Sequence, residues 1–323
     1  MRTEFKSTYT MKVVFLDRVH SILEERLLAN DFTCIDATAF DYGECLAVLS
    51  DAHGIVIRSR FTLNEDLLSH CHALKFIARS GAGMENIDVD ACKQRGITLY
   101  NAPEGNRNAV GEHALGMLLS LFNKIPLADA EVRKGKWDRE GNRGVELDGK
   151  TVGLIGYGNN GQAFAKKLRG FDVQVLAYDK YKSGFSDSTA KESSLEEVYQ
   201  QADVVSFHIP QNEETIYFAN EDFFNSFKKK IYLVNLSRGK IVDTAALVQE
   251  IKSGKVLGAC LDVLEYEKTS FESFFEQKLS TDLNYLLESK EVLLSPHVGG
   301  WTHESYFKLS AVLADKILNQ FKG

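Results

Sequence analysis

The sequence predicts an α/β protein built from two doubly wound parallel-sheet domains, and three observations lead there. Short β-branched runs alternate with helix-period segments along most of the chain, the pattern of parallel sheets covered on both faces. A glycine-rich turn at residues 156–161 joins one such strand to one such helix. The 323 residues also exceed what a single core usually serves, roughly 250–300 residues.

Residues 1–10 read as polar and loosely held, with the folded part starting at Met11. Strand-like runs at 12–16, 33–36, 54–57, 74–78 and 97–100 alternate with helical patterns at 21–29, 63–70 and 89–95. They make a small α/β unit with no glycine fingerprint. The stretch "NAPEGN" (101–106) breaks the pattern and reads as a hinge. A long helix follows at 109–123 with Gly111 and Gly116 inside it. Glycines there weaken a helix unless another helix, a second subunit or a cofactor comes close. Residues 126–148, polar and carrying Trp137, read as a surface excursion and a candidate dimer arm.

The second domain opens on "TVGLIGYGNNGQAFAKKLRGFDVQVLAYD" (151–179). Its strands are expected at 152–155, 173–178, 204–209, 231–236, 258–263 and 292–295, with a last helix at 303–321. No strand remains for that helix to follow, so it is expected to return to the first domain. The boundaries are then 11–105 with 299–323 for the first domain and 106–298 for the inserted one. The segment 266–290 is long for a crossover, and its residues assign it no purpose.

Composition narrows the partners. A net charge of -7 argues against nucleic acid or an anionic membrane, and "FKKK" (227–230) reads as a solvated helix end. No apolar run nears the ~20 residues of a membrane span, and the N-terminus lacks a signal-peptide core. Cys34, Cys45, Cys71, Cys92 and Cys260 form no C-x-x-C pair, which suits reduced thiols and a cytoplasmic setting. His70-Cys71-His72 has no matching ligand cluster nearby and reads as a helix end, so no metal is expected.

The glycine turn carries the first chemistry. Gly156 permits the tight turn, Gly158 admits a pyrophosphate to the backbone, and Gly161 lets helix and strand pack closely. The N–H groups of Asn159 and Asn160 open the helix towards phosphate oxygens. Asp179 ends the next strand, placed to accept from an adenosine ribose diol and to repel a 2′-phosphate. NAD is therefore expected over NADP, although Lys180 and Lys182 are basic residues at the same strand end.

In a doubly wound sheet, ligands bind beyond the carboxyl ends of the strands at the switch point. With strand order 3-2-1-4-5-6, Arg238, Glu267 and His297 follow the last three strands, on the nicotinamide side. His297 suits proton transfer to and from a 2-hydroxy acid, Glu267 can orient the imidazole, and Arg238 can fork onto a carboxylate. Ser237 and Asp262 join the cofactor-binding set; for Asp262 a structural hydrogen bond is the alternative. His208 ends the third strand, on the adenosine side, as a pocket or structural residue, and His113 and His20 read as packing or solvated. In the first domain, the amides of Ser80, Gly81 and Ala82 can hold a carboxylate. Arg58, Arg60 and Arg79 suggest a second anion on the substrate, the bland reading being pairing with surface acids.

With these residues in view, the chain resembles the D-isomer-specific 2-hydroxyacid dehydrogenase family from about Lys12 onward. "GYGNNG", "NLSRGKIVDTAAL", "GACLDVLEYE" and "LLSPHVGG" follow its order and spacing. "IRSR" (57–60) and "ARSGAGMENIDVDA" (78–91) are similar to its phosphoglycerate branch. The resemblance implies a Rossmann NAD-binding domain inserted into a flavodoxin-like substrate domain, Arg238, Glu267 and His297 as the catalytic set, and a homodimer. It implies oxidation of 3-phospho-D-glycerate to 3-phosphohydroxypyruvate, feeding serine synthesis. The alternatives are a reductase of glyoxylate, hydroxypyruvate or another small 2-oxo acid, or a non-catalytic NAD-sensing interaction protein. Three departures stand out: Asn159 replaces an arginine common in the loop, Lys268 replaces a proline, and the chain ends at Gly323 without a regulatory domain, so serine feedback is not expected.

Overall fold

The computed structural model describes residues 10–267 and 279–321. The expected loose N-terminal stretch, apart from its last residue, and Lys268 with the following ten residues of the unassigned segment lie outside that range. The chain divides into two compact units, one ending at Asn106 and resuming at Thr302, the other running Arg107–Trp301.

The first unit begins β1 (Met11–Phe15), α1 (Ile22–Leu28), β2 (Phe32–Asp36), α2 (Tyr42–Leu49) and β3 (Gly54–Ile57). It continues with α3 (Glu65–Ser69), β4 (Phe76–Arg79), α4 (Val89–Gln94), β5 (Thr98–Tyr100) and the first residues of α5 (Pro103–Phe122). Its five strands are parallel in the order β2-β1-β3-β4-β5. Helix α2 has no counterpart in the sequence reading: "YGECLAVL" is short and weakly patterned. It starts because Asp41 and Glu44 form a reciprocal capping box. The stretch expected as a hinge holds the division between the two units, at Asn106, and is also a helix start. Pro103 is the first residue of α5, where a missing N–H costs nothing and the fixed φ already suits the helix.

In the second unit come α6 (Ile125–Arg133), β6 (Thr151–Ile155), α7 (Asn159–Leu168), β7 (Gln174–Tyr178), β8 (Lys191–Glu192), α8 (Leu195–Gln201) and β9 (Val204–Phe207). There follow α9 (Glu221–Ser226), β10 (Ile231–Asn235), α10 (Thr244–Ser253), β11 (Val256–Leu261), α11 (Thr281–Glu288) and β12 (Val292–Leu294). The surface excursion is thus partly helical, since α6 occupies its first third. Seven parallel strands run β12-β11-β10-β9-β6-β7-β8. Strand β8 was not expected; two polar residues show no period. Its presence makes β9 the fourth strand, paired directly with β6. His208 therefore lies at the switch point rather than on the adenosine side.

Strand alternation divides this sheet between two cores. Val152, Leu154, Ala177 and Val234 face one cluster with α5 and α7, while Leu176, Val205, Phe207 and Leu233 face the other. Each fully buried Val, Leu or Phe side chain among them is worth about 1.5–3 kcal/mol against exposure. Gly111 of α5 has a reason in packing: a Cβ there would meet the Ala163 backbone of α7 at 3.0 Å, whereas one at Gly116 would meet nothing within 4 Å. The last helix, α12 (His303–Phe321), belongs to the first unit. Leu309, Leu313, Ile317 and Leu318 cover Val13, Phe15, Val56 and Phe76 on one face of that unit's sheet. Among the described residues no helix is long and apolar enough to cross a membrane.

Candidate active site

The glycine loop leaves β6 and enters α7. Gly156 has φ +96°, and a Cβ there would lie 2.6 Å from the His208 carbonyl. At Gly161 a Cβ would lie 2.2 Å from the Gly156 carbonyl, so only glycine lets helix and loop close. Gly158 borders open space, and no side chain caps the helix. The buried Oδ1 of Asn160 has no hydrogen-bond partner among the described residues. An open backbone and an uncapped helix start together fit a dinucleotide diphosphate. The Arg107 guanidinium, from α5, donates to Asn159 Oδ1 at 3.2 Å, so a cation reaches the loop from another element.

Asp179 follows β7 as expected. Its carboxylate accepts from the amides of Tyr157 (2.9 Å) and Tyr181 (3.0 Å). It lines a cavity of about 280 Å³ with Gly158, Tyr178, Ile209, Pro210 and Phe218, an apolar slot with an acid at its rim. His208 underlies the loop, and burial pushes its imidazole down to about 3. Its Nε2 pairs with Ser206 Oγ at 3.0 Å. It is a neutral structural residue.

Three successive strand ends carry the expected catalytic set. After β10, buried Asn235 shapes the turn: its Oδ1 accepts from Ser237 N at 3.0 Å and its Nδ2 donates to the Arg238 carbonyl at 3.0 Å. A Cβ at Gly239 would lie 1.9 Å from the Leu264 carbonyl, so glycine lets this turn abut the loop after β11. That loop folds onto Glu267, whose Oε1 accepts from Leu264 N at 2.5 Å. Its Oε2 meets His297 Nδ1 at 2.7 Å. His297 follows β12 in the left-handed region at φ +55°, unusual for a non-glycine residue.

Two expected cofactor contacts are used otherwise. The Ser237 hydroxyl, 6% exposed, donates to the Phe207 carbonyl at 2.7 Å. Asp262, 2% exposed, lies just past β11 rather than inside it, and accepts from Ser295 Oγ (2.6 Å) and from the amides of Val298 and Gly299. Its structural alternative accounts for these bonds. His113 joins this network through Ser295 Oγ at 2.9 Å, a role invisible in a helix pattern.

In the first unit, Arg60 turns its guanidinium to the backbone carbonyls of Leu16, Ala37 and Phe40, closing the ends of β1 and β2. Asp17, which the sequence reading passed over, accepts from the amides of Arg58, Ser59 and Arg60 and holds that loop. An acid directly after a strand was the available signal. The amides of Ser80 and Gly81 donate to Ile57 and Arg79 carbonyls at 2.8 Å. The expected anion cradle is thereby reduced to the Ala82 amide. Arg79 packs against Gly81, where a Cβ would lie 1.6 Å from a guanidinium nitrogen.

Residues 115–299 match the family model described as D-isomer specific 2-hydroxyacid dehydrogenase, NAD binding domain. A D-3-phosphoglycerate dehydrogenase of Archaeoglobus fulgidus is 34% identical over 315 residues, 97% of this chain. The chain spans 58% of that relative's length. A hydroxypyruvate reductase of Thermotoga maritima is 34% identical over 277 residues, 86% of this chain and 87% of the relative. A D-lactate dehydrogenase structure from Aquifex aeolicus, complexed with NAD and lactic acid, superposes with TM-score 0.79 at 28% identity, covering 96% of this chain and 95% of that one. With its glycine loop, terminal acid and strand-end residues, this chain belongs to the D-isomer specific 2-hydroxyacid dehydrogenase family.

Proposed function

We propose that the chain transfers hydride between NAD and a D-2-hydroxy acid, oxidising 3-phospho-D-glycerate to 3-phosphohydroxypyruvate. The observation that carries this reading is the 2.7 Å pair between His297 and Glu267 at adjacent strand ends. NAD, when bound, supplies the hydride acceptor. With Nδ1 donating to the Glu267 carboxylate, the proton-accepting nitrogen of His297 is Nε2, suited to take the substrate hydroxyl proton. Glu267 holds that tautomer and favours the imidazolium formed. Arg238 offers a guanidinium to the substrate carboxylate and polarises the developing carbonyl. Phosphoglycerate dehydrogenases among the relatives, and the cations Arg58 and Arg79, support a phosphorylated substrate.

A second reading, reduction of hydroxypyruvate or glyoxylate, gains from one observation: Arg60 is spent on backbone carbonyls, leaving fewer cations for a phosphate. The same site chemistry would run in reverse. Steady-state rates with 3-phosphoglycerate, D-glycerate, D-lactate, hydroxypyruvate and glyoxylate decide between them. The first reading expects kcat/KM at least tenfold higher for the phosphorylated acid than for D-glycerate, and a preference for the unphosphorylated acid rejects it.

A homodimer belongs to the same reading. Ile125, Val132 and Trp137 are 54%, 52% and 79% exposed on the excursion after α5, apolar surface suited to a second copy. Light scattering should give twice the chain mass, and Trp137→Ser should raise the monomer fraction. The free thiols support a reducing, cytoplasmic setting.

A further inference from the structure

Lys180 and Lys182 stand beside Asp179, where basic residues would ordinarily welcome the extra phosphate of NADP. The structure shows both engaged. Lys182 Nζ donates to the Tyr157 carbonyl at 3.0 Å. Lys180 Nζ reaches across the slot from the β7 end to Glu214, on the loop after β9, at 2.7 Å. The Tyr181 hydroxyl donates to the same Glu214 oxygen at 2.6 Å, and Lys180 sits 5.6 Å from the Tyr181 ring centroid. Glu214 is itself fixed: Asn212 Oδ1 accepts from its amide at 3.0 Å and from that of Thr215 at 3.1 Å. Asp179, Lys180, Tyr181, Lys182 and Glu214 all line the one cavity.

We infer that Glu214 is a second determinant of dinucleotide choice, excluding NADP by holding Lys180 away from the ribose 2′ position and adding a second carboxylate to the slot that Asp179 guards. The inference rests on the NAD reading of this cavity. A 2′-phosphate carries about 1.5 to 2 negative charges, as other phosphomonoesters do, and so meets two carboxylates and no available Lys180. The ribose diol of NAD carries no charge and escapes that penalty. Because the clasp is solvent-exposed, each charge contact is modest, and the effect comes from summing repulsion removed and attraction gained.

Titration calorimetry with NAD and NADP on four proteins tests this: wild type, Glu214→Gln, Lys180→Met, and the double variant. The ratio of the NADP Kd to the NAD Kd should fall about fivefold or more in Glu214→Gln. The double variant should lie between Glu214→Gln and wild type, because the carboxylate is still gone while the freed lysine is absent, and Lys180→Met alone should leave the ratio within twofold of wild type. A Glu214→Gln ratio within twofold of wild type overturns the inference. So does a full gain that persists without Lys180, because the released lysine would then have no part. Wild-type protein that binds neither dinucleotide would instead reject the NAD reading beneath it, a result distinguishable from the other two. Circular dichroism of the variants separates misfolding from altered choice.

Discussion

The backbone N–H of His297 donates to the Asp262 carbonyl at 2.8 Å, while the Asp262 carboxylate receives the next two amides, Val298 at 2.9 Å and Gly299 at 2.8 Å. One buried residue thereby holds three successive backbone groups around an imidazole in a left-handed conformation. Asp262→Asn turns one acceptor into a donor facing a donor. An unsatisfied buried group costs about 1–3 kcal/mol, so the melting temperature should drop several degrees. Turnover should fall at least tenfold, with kcat affected more than KM, because His297 moves while other contacts stay. Thermal melts beside steady-state kinetics check both; wild-type values in both would remove Asp262 from this role.

Glu267→Gln tests the proton path. The amide can still fill the space but no longer favours an imidazolium, so turnover should fall about 10²- to 10⁴-fold. The Kd for ADP-ribose, measured by calorimetry, should move less than threefold. Retained turnover would show that another group takes the proton.

Arg107→Ala tests the cation that reaches Asn159. Binding of ADP-ribose should weaken about three- to tenfold, while AMP, which lacks the diphosphate, should bind as before. Asn159→Arg in the same background should restore affinity. Equal weakening of both ligands would point to a distorted loop instead.

His208 sets an acid limit on stability. Its folded pKa lies far below the value near 6.5 of an unfolded histidine, so between those values the unfolded chain binds a proton that the folded chain refuses. Above about pH 6.5 both forms are neutral and the group contributes nothing. As pH falls through the window, stability is lost, at up to about 1.4 kcal/mol per pH unit. His208→Gln should shift the acid-unfolding midpoint to lower pH while changing the urea midpoint at pH 8 far less. An unshifted acid midpoint would mean the imidazole is not buried.

Much of this architecture could be read from residue order. The glycine turn, the strand before it and the acid after it are local, so the sequence displays them directly. Arg238, Glu267 and His297 were also visible, because the ends of β-branched runs locate strand termini to within a residue or two. What escaped depended on partners distant in sequence. Arg60 looked like an anion ligand until three carbonyls from residues 16–40 claimed it. Ser237 and Asp262 looked open until the ends of β9 and β12 folded onto them. The two-residue β8 was too short to show any period, and missing it put His208 on the outer adenosine-side strand instead of the strand beside β6. Pro103 misled because the same ring that stops a helix midway is welcome at its first turn.

The contribution of α12 to the first sheet bears on how the polypeptide is made. Val13, Phe15, Val56 and Phe76 leave the ribosome early, yet α12, which packs on them, is synthesised only after the whole insert, from residue 303 onward. Until α12 emerges that apolar face has only Leu23 and Leu27 of α1 as native cover, while the 195-residue insert, Arg107–Trp301, already has the described strands of its own sheet. The order of completion should therefore run opposite to the order of synthesis, and chains stalled before Leu309 should be the ones that chaperones retain.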